Sequence, residues 1–291
     1  MPPIFRLFLV CMLAFALPDG PGPARAADVQ MTAAEAKRKI NLAGRQRMLS
    51  QRISLLLCMS ERGIAPHANR AAAAKAINLF GATLAGLRHG DPDLGLPREY
   101  QPEVLASLDA VDAAWAEFSD VVGAMLAGGG DGLPALQTTN LVLLTRMNDS
   151  VGVMERSYGE GLVHPDLARV INLAGRQRML IQRAAKSSCL AASGIAAAEE
   201  RAETEATITL FEASHQQLVS GDPANGVIEP PDELIWDQLS VVEGLWQEAR
   251  PLIDAMAGGA GISSKEEARL LTLTTQALNA MNDAVWMYEN F

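Results

Sequence analysis

Aromatic residues are scarce in this chain, 5% of 291 residues, and cysteine is scarcer still, with three. Few aromatic side chains beside abundant Ala, Leu, Met and Gln argue against sheets, because unbranched side chains lose little rotamer freedom in a helix. An all-α fold is expected. Positive charge is also in deficit: 24 Lys and Arg face 34 Asp and Glu, for a formal net charge of −10. That excludes a nucleic-acid partner, which needs a basic surface to displace counterions, and general attraction to anionic lipid, but not a small local basic pocket. The chain has no Cys-x-x-Cys-His, no His-Glu-x-x-His, no Gly-x-Ser-x-Gly and no Gly-rich phosphate loop. Neither enzymatic activity nor a metal or cofactor is expected. His67, His89, His164 and His215 follow no repeated pattern and read as surface residues.

The first 26 residues read as an export signal. Arg6 supplies the positive region, Leu7 to Leu17 the apolar stretch and Ala24-Arg25-Ala26 the small-x-small cleavage site. The apolar run is too short to span a bilayer, and Pro18, Gly20, Pro21 and Pro23 break it off; an uncleaved membrane anchor is the competing reading. No later segment offers a long charge-free apolar run, so the mature chain, from about Ala27, is expected in the periplasm without a membrane span.

The run Ile40 to Leu49 recurs letter for letter as Ile171 to Leu180, an offset of 131 residues. The same offset carries Gln51-Arg52 onto Gln182-Arg183, Cys58 onto Cys189, Phe80 onto Phe211 and Trp115 onto Trp246. Both tryptophans sit amid Val and Leu and read as core. Further on the offset becomes 134, pairing Met147-Asn148-Asp149 with Met281-Asn282-Asp283 and Glu155 with Glu289. Three residues have therefore entered the second copy, and the Gly-rich stretch Gly258 to Gly261 is the expected place. The chain divides into a signal at 1–26 and two domains, 27–160 and 161–291. Turn residues cut the first copy into helices expected over Thr32–Arg62, Pro66–Arg88, Pro102–Leu126 and Pro134–Tyr158. Helices of the second copy are expected to start near Pro165, Ala196, Pro231 and Ser263.

Short connections make each copy an up-down-up-down four-helix bundle. After four alternating helices the chain returns to the end where it entered, so the joint Gly159 to Pro165 sets the two bundles side by side and parallel, as a pseudo-dimer within one chain.

On the first helix Ile40, Gly44, Arg47, Gln51, Ser54 and Cys58 lie on one stripe, repeated as Ile171, Gly175, Arg178, Gln182, Ala185 and Cys189. The glycines allow two helix backbones to approach, and Arg47 and Arg178 then face each other. Two facing guanidinium groups repel unless an anion lies between them, and the guanidinium fork matches two oxygens of a planar oxyanion. Salt bridges to Asp or Glu are the competing account of these arginines, and of Arg45, Arg52, Arg176 and Arg183. Cys11 falls in the signal, leaving Cys58 and Cys189 on the same seam. Either they form an interbundle disulfide or they are small buried thiols. Asn148-Asp149 and Asn282-Asp283 either cap or pair with the motif arginines.

The run Ile-Asn-Leu-Ala-Gly-Arg-Gln-Arg-Met-Leu-Ser-Gln-Arg at 40–52, largely repeated at 171–183, resembles the PilJ-type domain of type IV pili methyl-accepting chemotaxis transducers. Its core is also similar to the start of the sensor domain of nitrate/nitrite-responsive histidine kinases. The resemblance implies a four-helix bundle whose first helices meet in parallel and grip one nitrate between paired arginines. Residue by residue, those arginines fall on Arg47 and Arg178, with Gly44, Gly175, Arg52 and Arg183 at the other motif positions. The sequence departs from the pattern in carrying no kinase, no HAMP-like linker and no methyl-accepting coiled coil, so output is expected to pass through a protein partner. The expectation is a periplasmic module, monomeric or weakly dimeric, that binds nitrate or nitrite and signals to that partner. The alternative is a ligand-free protein that docks on a membrane receptor or on a pilus, chemotaxis or transport component.

Overall fold

Thr32 accepts a hydrogen bond from the Glu35 backbone N–H while the Glu35 carboxylate takes the Thr32 N–H, and this reciprocal cap starts helix α1 (Ala33–Glu61). Proline, which has no N–H to leave unpaired, opens α2 (Pro66–His89), α3 (Pro102–Leu126) and α5 (Pro165–Ala192). α4 spans Leu133–Gly159, and the second half continues with α6 (Ala197–Ser220), α7 (Glu233–Ala257) and α8 (Ser264–Asn290). The computed structural model describes residues 31–129, 131–159, 161–259 and 261–291, so the export signal expected at 1–26 lies outside the described residues. The connections α1–α2 and α5–α6 place Ala65 and Ala196 at φ of 39° and 43°. A left-handed residue bearing a Cβ is uncommon, and here it recurs at equivalent positions.

The fold is all-helical, as expected. α1 packs on α2 and α4, α5 packs on α6 and α8, and α3 and α7 close the two bundles. The most extensive pairing joins α1 to α5. Those two helices run parallel and in register, since equivalent residues meet along them: Cys58 is bonded to Cys189, and the tips of Arg47 and Arg178 adjoin. From Lys39 to Ser60 nearly every residue of α1 is buried, because helices surround it. Its polar side chains therefore bond inward: Gln46 donates to the Phe80 carbonyl at 2.7 Å and Gln51 to Asn140 Oδ1 at 2.9 Å. No helix among the described residues is long and apolar enough to cross a membrane.

Three sequence expectations need correction. The connections from Leu126 to Leu133 and from Ala257 to Ser264 are equal in length, so the three extra residues do not enlarge the Gly-rich loop. They become a first turn of α8, held by a Ser263–Glu266 cap like that of Thr32. His215 is 3% exposed, not a surface residue; it lies one turn beyond Phe211 on the inner face of α6 and stacks on that ring at 5.5 Å. Trp246 is fully buried against Phe211, whereas Trp115, stacked on Phe80 at 4.0 Å, stays partly open to solvent.

Candidate functional site

α1 and α5 carry Arg47 and Arg178 into the seam, where they are 3% and 2% exposed. Their closeness can be read from the glycines beneath them. A Cβ on Gly44 would lie 3.2 Å from Arg47 Nη2 and 3.6 Å from Arg178 Nη2; one on Gly175 would lie 3.3 Å from Arg178 Nη2 and 3.6 Å from Arg47 Nη2. The sequence led us to expect that these glycines admit a facing backbone. No facing backbone atom comes within 4 Å of either position, and the space a methyl would fill is taken by both guanidinium tips.

The hydrogen bonds around the tips repeat with the same twofold pattern. Arg47 Nη2 donates to Asn172 Oδ1 at 2.8 Å, and Arg178 Nη2 donates to Asn41 Oδ1 at 2.9 Å, each crossing to the other bundle. The Nη1 groups donate to Asn148 Oδ1 at 3.4 Å and Asn282 Oδ1 at 3.1 Å within their own bundles. Behind the crossing amides stand carboxylates. Asn172 Nδ2 donates to Glu155 at 2.5 Å, and Asn41 Nδ2 donates to Glu289, which turns each amide oxygen toward its arginine.

These acceptors satisfy N–H groups without cancelling charge, since every first partner is a neutral amide or carbonyl. Among the described residues neither Arg47 nor Arg178 forms a salt bridge, and Arg47 Nε is buried without a partner. Burial, then Arg176, brings the Arg47 pKa down to about 10; burial, then Arg47 and Arg45, brings Arg178 down to about 9. Both remain charged at neutral pH. The electrostatically linked cluster holds Arg38, Arg45, Arg47, Arg176 and Arg178 against Glu155 and Glu289, an excess of three positive charges. Of these groups Arg47, Arg178 and Glu289 are buried and the others are partly open to solvent; burying two like charges with no carboxylate in direct contact is costly.

The other motif arginines turn elsewhere. Arg52 donates to Gln182 Oε1 and Thr275 Oγ1 at 3.3 Å, bridging the bundles farther along the seam. Arg183 pairs with Glu203 of its own bundle at 2.7 Å, as the salt-bridge account allowed. Arg45 donates to Thr83 at 3.2 Å. Cys58 and Cys189, eleven residues past the arginines on each helix, are joined as a disulfide with Cα atoms 6.3 Å apart. At about 1.5 Å rise per residue the bond stands about 16 Å from the arginine pair.

Comparison with known families matches residues 32–140 and 166–275 to the type IV pili methyl-accepting chemotaxis transducer N-terminal (PilJ) family. The chain belongs to this family. Two matched segments mean two tandem PilJ domains, a sensory and non-catalytic class associated with signalling partners. No curated protein matches the chain in sequence. Asn41, Asn172, Glu155 and Glu289 were not singled out from the sequence as site residues. Their signal was present, since Asn41 and Asn172 lie inside the repeated run and Glu155 pairs with Glu289 at the second offset.

Proposed function

We propose that this tandem PilJ protein is a periplasmic sensor module that holds one small oxyanion, nitrate or nitrite, between Arg47 and Arg178. The observation that carries the reading is the pair of buried guanidinium groups, tip to tip over Gly44 and Gly175, with only neutral first partners. A planar oxyanion accepts from both forks at once and offsets their mutual repulsion. Binding then alters the spacing of α1 and α5, a difference that a protein partner can read. Burial of both arginines weighs against the alternative in which the seam itself docks on an acidic partner, because docking requires the charges at the surface.

The test is isothermal titration of the refolded, anion-free protein with nitrate, nitrite and sulfate, alongside an Arg47→Ala/Arg178→Ala variant checked for helicity. One nitrate or nitrite per chain, lost in the folded variant, is the expected result. No heat from nitrate or nitrite would overturn the assignment.

A further inference from the structure

A cleft of about 440 Å³ opens where α4 of the first bundle meets α5 and α6 of the second. Arg47, Arg169, Arg176 and Arg183 line it, and no acidic side chain does. Leu173, Met179 and Leu210 form an apolar wall between the charges. Arg176 Nε and Arg47 Nε are buried without hydrogen-bond partners, and among the described residues only Arg183 of the four forms a salt bridge.

The pseudo-twofold makes this cleft unequal to its counterpart. Gly152 on its α4 wall corresponds to Trp286 on α8, at the offset that also pairs Asn148 with Asn282. Arg169 donates to the Asn225 carbonyl at 2.5 Å, whereas its equivalent Arg38 is ion-paired with Glu289 at 3.2 Å. Asn172 is half-buried beside the cleft, while Asn41 is only 8% exposed. One flank of the seam is therefore open, with Glu155 held behind Asn172 and, among the described residues, no ion pair to Arg169 or Arg176, while the other carries a tryptophan and a carboxylate paired with Arg38.

We infer that the open flank is a second binding site, which takes a small organic di- or tricarboxylate with its carboxylates on Arg47, Arg169 and Arg176 and its carbon stem against Leu173, Met179 and Leu210. The volume lies in the range of organic ligands, about 300–1,000 Å³, and is far larger than a nitrate requires. Separated guanidinium groups around an apolar wall fit several carboxylates on one carbon frame better than a single compact anion. The inference shares Arg47 with the seam but does not depend on nitrate binding there.

The test titrates the full protein with succinate, citrate, inorganic phosphate and nitrate, comparing wild type with Gly152→Trp, Arg176→Gln and Arg178→Gln. A Cβ on Gly152 would meet only the flexible end of Arg156, at 3.4 Å, so the tryptophan can be accommodated while it fills the cleft. Succinate or citrate is expected to bind one per chain, to weaken about tenfold or more in Gly152→Trp and Arg176→Gln, and to change no more than about threefold in Arg178→Gln. Nitrate is expected to follow the opposite order between Gly152→Trp and Arg178→Gln, so either site can fail without the other. Should Gly152→Trp lose its cooperative melt, the partly exposed Arg176→Gln decides alone. Absence of succinate and citrate binding, or their undiminished binding in Arg176→Gln, overturns the inference. Inorganic phosphate binding as tightly as either organic acid overturns the assignment to carboxylates.

Discussion

Replacing Gly44 and Gly175 by alanine separates the proposed anion site from the fold that would carry it. Each new methyl would sit 3.2–3.3 Å from the guanidinium of its own helix and 3.6 Å from that of the other. The first spacing is a few tenths of an ångström inside ordinary contact, and the second is not. Arg47 and Arg178 must therefore withdraw slightly. Their Nη2 bonds to Asn172 and Asn41, at 2.8 and 2.9 Å, leave little slack in a seam packed like a protein interior. Against this strain stands the helix preference of Ala over Gly, about 0.8–1.0 kcal/mol per site. The double variant is thus expected to keep its stability within about 2 kcal/mol by urea denaturation. Its nitrate affinity, measured by titration calorimetry, is expected to fall about 10- to 150-fold, the equivalent of one charged hydrogen bond at about 1.5–3 kcal/mol. Full nitrate affinity in the folded double variant would refute the idea that the glycine niche positions anion-binding arginines.

Further predictions concern the surroundings of the seam. Asn148→Asp with Asn282→Asp puts a carboxylate where each Nη1 now meets a neutral amide; nitrate affinity is expected to drop more than about tenfold while the melting temperature holds or rises, and a retained affinity sinks the charge argument. The Cys58–Cys189 bond closes a span of 131 residues. Cys58→Ser/Cys189→Ser is expected to lose about 2–5 kcal/mol in urea denaturation, matching wild type under reductant, and a loss below about 1 kcal/mol would show that the bond constrains little. Lys39 and Glu99 form a buried pair at 2.6 Å that Tyr158 also joins. Glu99→Gln leaves the ammonium unpaired and is expected to cost about 3–5 kcal/mol.

The same pair sets a pH dependence. Burial pushes the Glu99 pKa up, but hydrogen bonds from Lys39, Tyr158 and the Gln101 N–H outweigh it and hold the group below its usual value. Its stabilisation is therefore complete above the unfolded carboxylate range, about pH 4.3, and is lost as pH falls through the lower folded value. Glu99→Gln should flatten the acid limb of the stability profile, and an unchanged limb would contradict the assignment.

The helices and their pairing were legible because their causes are local or repeated. Thr32 with Glu35, Pro66, Pro102 and Pro165 mark helix starts through backbone chemistry that needs no neighbour. The exact recurrence of residues 40–49 brought like residues together along parallel α1 and α5. Less was legible where a residue's partner lies on another element. Asn41 sits beside Ile40 and off the heptad stripe, yet it reaches Arg178 because the facing helix offers its guanidinium there. His215 looked exposed because one polar residue on a mostly polar helix does not reveal that Phe211 and α7 cover it. The three inserted residues entered α8 because Ser263 and Glu266 can cap a new turn, a local signal masked by the neighbouring glycines.

Joining the two bundles in one chain, between Gly159 and Pro165 and again through the cystine, changes what ligand occupancy depends on. A site shared between two separate chains exists only in the fraction that has met its twin, so dilution weakens the apparent affinity for ligand. A short covalent connection replaces that encounter by an effective concentration of millimolar order or more. On the proposed reading, occupancy of the arginine seam would then follow free ligand alone, with no dependence on the concentration of the protein itself.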